Sequence, residues 1–93
     1  MRGAARPIAL TGADQVVSPN QAIYRGYSVR ETAGAAAVVR VYDDPAAAAG
    51  TLLDTIALAA NASQNVLHDG VFAASGVFVD VVSGAVEGSI RIG

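Results

Sequence analysis

Ala22-Ile23-Tyr24-Arg25-Gly26-Tyr27-Ser28-Val29-Arg30-Glu31 decides the fold class. Ile23, Arg25, Tyr27 and Val29 form one alternate set, and Tyr24, Gly26, Ser28 and Arg30 form the other. Alternation with period two, carried by aromatic and β-branched residues, predicts a β-strand. Gly26 inside that strand predicts close packing against a large neighbour. Thr32-Ala33-Gly34 then turns the chain.

The pattern repeats downstream. Ala35–Tyr42 predicts a second strand, which Asp43-Asp44-Pro45 stops because Pro has no N–H for a central ladder. Pro45–Ala60 has two readings. Asp44 as a cap, Pro45 at a first helical position and Ala46–Ala49 favour a helix. Gly50 and the β-branched Thr51, Thr55 and Ile56 favour a loop to Ala49 followed by a strand over Thr51–Leu58, which is the expectation adopted. Gln64–Leu67 predicts a short strand, His68-Asp69-Gly70 a turn, and Val71-Phe72-Ala73 a brief edge. Val77–Val82 predicts a near-continuous apolar strand. After Ser83-Gly84, Ala85–Ile92 returns with Val86, Ile90 and Ile92 on one face, so these last two strands are expected to form a hairpin. Seven to eight short antiparallel strands predict an all-β domain, a small β-sandwich or jelly roll.

Upstream, Gly12-Ala13-Asp14 and Ser18-Pro19-Asn20 are turn signals. Residues 1–20 therefore read as an N-terminal arm and edge strand, and residues 21–93 as the β-sandwich domain. The arm is expected to add little to the core of its own domain. It holds Arg2 and Arg6, followed by the short extended stretch Pro7–Thr11. Those residues suit docking on a neighbour, with Ile8 and Leu10 adding a strand to an exposed edge and Arg2 or Arg6 pairing with acids.

Composition bounds the function. The chain has 93 residues, and a domain of that size buries a modest share of its surface. Cys is 0, so no disulfide reinforces it. Hydrophobic residues make up 53% and charged residues only 15%, with a mean hydropathy of +0.43. A monomer with so few charges exposes apolar surface, which predicts self-association. The net charge of −2 argues against a nucleic-acid partner, which requires a basic face. The longest apolar run, Leu52–Ala62, is interrupted by Asp54, Thr55 and Asn61 and is too short to span a membrane. No apolar signal-peptide core follows Arg2 and Arg6, so a soluble protein made in a cytoplasm is expected.

Residues that carry chemistry are sparse. His68 is the single histidine. Asp69 is adjacent, and Ser63 or Ser75 is available as a nucleophile, but no nucleophile-elbow pattern is present. A solvated turn histidine is the expectation, and no enzyme activity is assigned. Glu31, Asp54 and Asp80 sit in predicted strands. A glycosidase needs two carboxylates in a cleft lined by aromatics, whereas strand charges paired with Arg25, Arg30, Arg40 or Arg91 explain these more simply. Asp43-Asp44 and Asp69-Gly70 lack the ligand spacing of a calcium loop and suit turn capping. Asn61-Ala62-Ser63 matches a glycosylation sequon, which matters only in a secretory pathway. No cofactor is expected. Ala33–Val39 and Pro45–Ala60, poor in charge, are candidate contact surfaces.

Two stretches together carry a resemblance. One is Arg25-Gly26-Tyr27-Ser28-Val29-Arg30-Glu31-Thr32-Ala33-Gly34-Ala35-Ala36-Ala37. The other is Gly76-Val77-Phe78-Val79-Asp80-Val81-Val82-Ser83-Gly84-Ala85-Val86-Glu87-Gly88-Ser89-Ile90. Gly50-Thr51-Leu52-Leu53 and Ile56–Ser63 fit the same layout between them. This resembles the small capsid decoration (cement) proteins of tailed bacteriophages. The resemblance implies a β-sandwich on the virion surface, an interaction with the major capsid protein, and a homotrimer. It implies no active-site residues. Similar β-modules occur in phage tails, baseplates and fibres, where a host receptor or carbohydrate is the partner.

Overall fold

The computed structural model describes residues 5–93. Eight strands follow one another: β1 (Arg6–Ala9), β2 (Gln15–Ser18), β3 (Ala22–Glu31), β4 (Ala37–Asp43), β5 (Thr51–Leu58), β6 (Ser63–Ala73), β7 (Val77–Ser83) and β8 (Val86–Ile92). They form two four-stranded antiparallel sheets, ordered β1-β8-β3-β6 and β2-β7-β4-β5. The described residues contain no helix, so 45–60 resolves as a loop and a strand.

The pairing is that of a jelly roll. β4 pairs with β5, β3 with β6, β2 with β7 and β1 with β8. This is one long antiparallel ribbon, closed by the β4–β5 hairpin and wrapped into two layers, with β3–β8 and β4–β7 contacts sealing the wrap. Apart from β4–β5, each connection crosses from one sheet to the other. The expected hairpin of the last two strands is therefore corrected. β7 lies between β2 and β4, while β8 lies between β1 and β3 in the other sheet. Ser83-Gly84-Ala85 is an arch between layers, with Gly84 at φ +81°.

The core is where alternate residues of the two sheets face each other. Tyr24, Tyr27, Val29, Ile90 and Ile92 come from one sheet, and Val39, Val41, Ile56, Val77 and Val79 from the other. Each keeps 4% exposure or less, and the alternation holds in β4 and β8. In β3 the irregularity between Tyr24 and Gly26 puts both Tyr24 and Tyr27 on the core side, although sequence alternation sets them on opposite faces.

Three further expectations are revised. Gln15–Ser18, lying between the two turn signals, is a strand, and Val17 enters the core. β1 pairs with β8, and Ile8 and Leu10 pack against the core, so this segment does contribute to its own domain. His68-Asp69-Gly70 is no turn. β6 runs unbroken through it, and the register with β3 shifts between Tyr24 and Gly26. At that bulge Gly26 has φ +122° and approaches the Val66 backbone carbonyl, so its neighbour is backbone and no large side chain.

Side-chain carboxylates fasten the arches. Glu31 is completely buried at the end of β3. It accepts the N–H groups of Ala33, Gly34 (2.9 Å) and Asn61 (2.8 Å), joining the β3–β4 arch to the β5–β6 arch. Asp43 accepts Ala74 N–H (3.1 Å), Ser75 N–H (2.8 Å) and Gly76 N–H (3.3 Å), tying the β4–β5 loop to the β6–β7 arch. Asp44 caps its own loop through Ala46 N–H and Ala47 N–H, both at 2.8 Å.

Candidate functional site

His68, Asp54 and Tyr24 meet where the two sheets come together at the β5–β6 side. β6 carries His68, the edge strand β5 carries Asp54, and β3 carries Tyr24. Asp54 Oδ2 accepts the Tyr24 hydroxyl at 2.9 Å and lies 3.1 Å from His68 Nε2. The Tyr24 and His68 rings stack at a tilt, with centroids 5.5 Å apart. A sheet-to-sheet hydrogen bond of this kind satisfies a phenol that is otherwise fully buried. Burial, together with the Asp54 charge and hydrogen bond, pushes the Tyr24 hydroxyl far above its ordinary range. Burial and the same carboxylate raise Tyr27, whose hydroxyl donates to Gln64 Oε1 at 2.9 Å.

The histidine is thus a strand residue bonded to a carboxylate, with its side chain 34% exposed, and no solvated turn residue. Its recorded partner among the described residues is Asp54. Ser63 begins β6, and Ser75 donates its N–H to Asp43 in a different arch. The cluster therefore holds a carboxylate, an imidazole and a phenol locked as a donor, without a hydroxyl nucleophile hydrogen-bonded to the imidazole. Asp54→Ala strands the Tyr24 hydroxyl in the core and is expected to cost about 1–3 kcal/mol. His68→Ala leaves that bond intact and is expected to cost under about 1 kcal/mol. Urea denaturation of the two variants separates these values; equal losses would make His68 the acceptor's main partner.

The remaining charges are placed differently from the simple strand pairs expected. Arg30 Nη1 lies 3.7 Å from Glu87 Oε2 in an exposed cross-strand pair. Arg40 stands opposite Asp80 in the β4–β7 register. Glu31 and Asp54 pair with no arginine among the described residues; they bind backbone N–H groups and Tyr24–His68 respectively. Among the described residues, no group of three or more His, Asp or Glu side chains is placed to hold a metal ion. No described helix is long and apolar enough to cross a membrane.

The surface offers more than the cluster does. Leu67, Val71 and Phe72 of β6 are 70%, 39% and 59% exposed. Leu67, His68 and Asp69 line a shallow pocket with Ala5 and Arg25. The Arg25 Nε inside it is buried and has no hydrogen-bond partner among the described residues. Of the residues expected to dock, Arg6 is exposed at the start of β1, while Ile8 and Leu10 lie half-buried against the core. Arg2 lies outside the described residues. Sequence patterning missed the β6 patch, because the presumed turn at His68-Asp69-Gly70 hid that Leu67 and Phe72 share one edge strand.

Fold and site together define a small jelly-roll β-sandwich in which the part-buried Tyr24–Asp54–His68 cluster bridges the two sheets. No family model matches the chain, and no curated protein or solved structure matches it.

Proposed function

We propose that this chain is a virion structural protein, a capsid decoration protein that binds the outer surface of a phage capsid through the major capsid protein and stabilises the shell. The observation that carries this reading is the exposed apolar β6 edge, with Leu67 at 70% and Phe72 at 59% exposure on a long strand edge that no strand among the described residues pairs with. Soluble sandwiches blunt such edges with charge. Here the Ser63–Leu67 half of the edge carries no charged residue. Burying one Leu or Phe contributes about 1.5–3 kcal/mol, a useful amount when multiplied over a shell lattice. Ala5, next to Arg6, lines the pocket with Leu67 at the middle of β6, so the basic start of β1 and the apolar edge reach a partner together.

The mechanism is burial and clamping, with no bond made or broken. A decoration subunit that binds only assembled shell stabilises it by mass action. The second reading is a tail, baseplate or fibre module that contacts a host receptor or carbohydrate. It is favoured by the pocket of Arg25, His68 and Asp69 with its unpartnered Arg25 Nε, though no aromatic side chain lines that pocket for sugar stacking.

The test is co-sedimentation with undecorated capsids of the source phage. The double variant L67D/F72D changes exposed side chains and is expected to melt as the parent does while binding at least about 100-fold more weakly. Binding at parental affinity would remove the β6 edge from the interface. Failure of the parent itself to bind capsids, with retention on a receptor-bearing host surface, would favour the second reading.

A further inference from the structure

The outer face of the β2-β7-β4-β5 sheet is built in rows that match themselves. Val77 and Val79 of β7 and Val39 and Val41 of β4 point into the core. Phe78 and Asp80, and Arg40 and Tyr42, therefore alternate onto the opposite face. The register joins Val16 to Phe78, Phe78 to Tyr42 and Tyr42 to Leu52, one apolar row across all four strands. Val16 and Leu52 at its ends are 44% and 48% exposed, and Phe78, outside the core cluster, keeps 8%.

The next row is polar. Asp80 stands opposite Arg40, which stands opposite Thr55. Asp14 completes it from the β1–β2 arch, where its Oδ1 accepts the Val81 N–H at 2.8 Å. Beyond the charges, Val82, 46% exposed, and Val38 are apolar again. Arg40 thus stands opposite Asp80 in the register, with Asp14 anchored on the neighbouring Val81 N–H. Burial first, and Asp14 second, raise Asp80 above its ordinary range, and Arg40 only partly offsets them.

We propose that this face binds a second copy of the chain, with a two-fold axis in the plane of the contact, parallel to the strands and midway between β4 and β7. That axis exchanges β4 with β7 and β5 with β2. Val16 then meets Leu52 of the second copy at each end of the row, with Tyr42 over the largely covered Phe78 between them. Asp80 meets the second copy's Arg40, so each Asp80 gains a second cation across the contact. An axis across the strands through this row instead stacks Arg40 on Arg40, and the charges reject it. Strands run nearly parallel between the copies, as in aligned sheet packing, and the contact is isologous.

Three strands of seven or eight residues and the four-residue β2, about 4.8 Å apart, give a face near 20 Å on a side. Two such faces bury on the order of 1,000 Å², at the weak end of specific interfaces. The pair is therefore concentration-dependent, with dissociation in the micromolar range. This inference does not rest on the capsid reading, and it differs from the trimer that the phage resemblance implies.

Sedimentation velocity on the full chain, from low micromolar to about 1 mM, tests it. The parent is expected to move from monomer to dimer. L52E is expected to weaken dimerisation at least about tenfold while melting as the parent does. R40D and D80R are each expected to be monomeric, because each places like charges across the axis. Mixed together they are expected to pair, since both cross-axis contacts then join opposite charges. A parent that stays monomeric throughout, a trimer, or a dimer untouched by L52E each overturns the proposal. If R40D or D80R does not fold, V16E alongside L52E gives the same decision.

Discussion

Gly88→Ala and Gly26→Ala are each expected to lower stability by about 2–4 kcal/mol. Gly88 has φ +132° and Gly26 φ +122°, a region that L side chains rarely adopt. Each also lies against a neighbouring strand. A Cβ at Gly88 would overlap the Ser28 carbonyl oxygen, and one at Gly26 the Val66 carbonyl oxygen. Relief requires moving β3 away from β8 or β6, and β3 is the strand that both hold. A fall in melting midpoint of roughly 10–25 °C is the corresponding readout for a domain of this size. Gly34→Ala supplies the contrast. Gly34 has φ +77° with nothing within 4 Å of a Cβ, so only the conformational cost of about 1 kcal/mol applies. Equal losses at Gly34 and Gly88 would mean that strand approach adds nothing.

Those glycines also mark where sequence patterning stops. Period-two alternation located β3, β4 and β8, while β-branched residues located β5 and a near-continuous apolar run located β7. The bulge at Gly26 shifts register within β6, and a bulge carries the same Asp-Gly composition as a turn. For that reason His68-Asp69-Gly70 read as a reversal. β2 is four residues long between two genuine turns, too short for alternation to register. Ser83-Gly84 is a real reversal, yet local composition does not distinguish a hairpin, which keeps both strands in one sheet, from an arch, which sends the second strand to the other. That choice is made by which partners are free: β8 fits between β1 and β3 only by leaving the sheet of β7.

The candidate cluster was illegible for a related reason. Asp54 and His68 are 14 residues apart, and Asp54 and Tyr24 are 30. They meet only because the β5–β6 arch brings the edges of two sheets side by side. Within β5, Asp54 sits in the same alternate set as Ile56 and Leu58, both buried. An acid on the core side of a strand is a signal that it has a buried donor, and Tyr24, on the core side of β3, is the phenol available to it. The rows on the outer face of the β2-β7-β4-β5 sheet were half legible. Arg40 and Asp80 each interrupt an apolar strand, but only the register sets them opposite one another.

Glu31→Gln is expected to lower the melting midpoint at neutral pH by on the order of 10 °C. The carboxylate has two oxygens for three recorded backbone donors, whereas an amide offers one acceptor and brings an N–H₂ against those same N–H groups. The N–H of Asn61 does most to hold the Glu31 carboxyl below its ordinary range; burial opposes it, and Ala33, Gly34 and Ala35 add to it. Ser75 N–H does most for Asp43, with burial again opposing and Ala74 and Gly76 assisting. Both groups have folded values depressed below the unfolded values of about 4.3 and 3.9. Their stabilisation is complete above those values and is lost as pH falls through the folded ones. Asp80 has the opposite sign. Its raised folded value means that protonation on the way down from neutrality removes the cost of burying the charge first and repulsion from Asp14 second, adding a little stability before the other two titrate. Melting midpoints of the parent are therefore expected to hold or rise slightly into mild acid and then fall steeply below about pH 4. E31Q is expected to start lower and fall less steeply, because one of the two titrating arch carboxylates is gone. Parallel acid profiles for parent and E31Q would mean that Glu31 is not an ionised tie between the β3–β4 and β5–β6 arches.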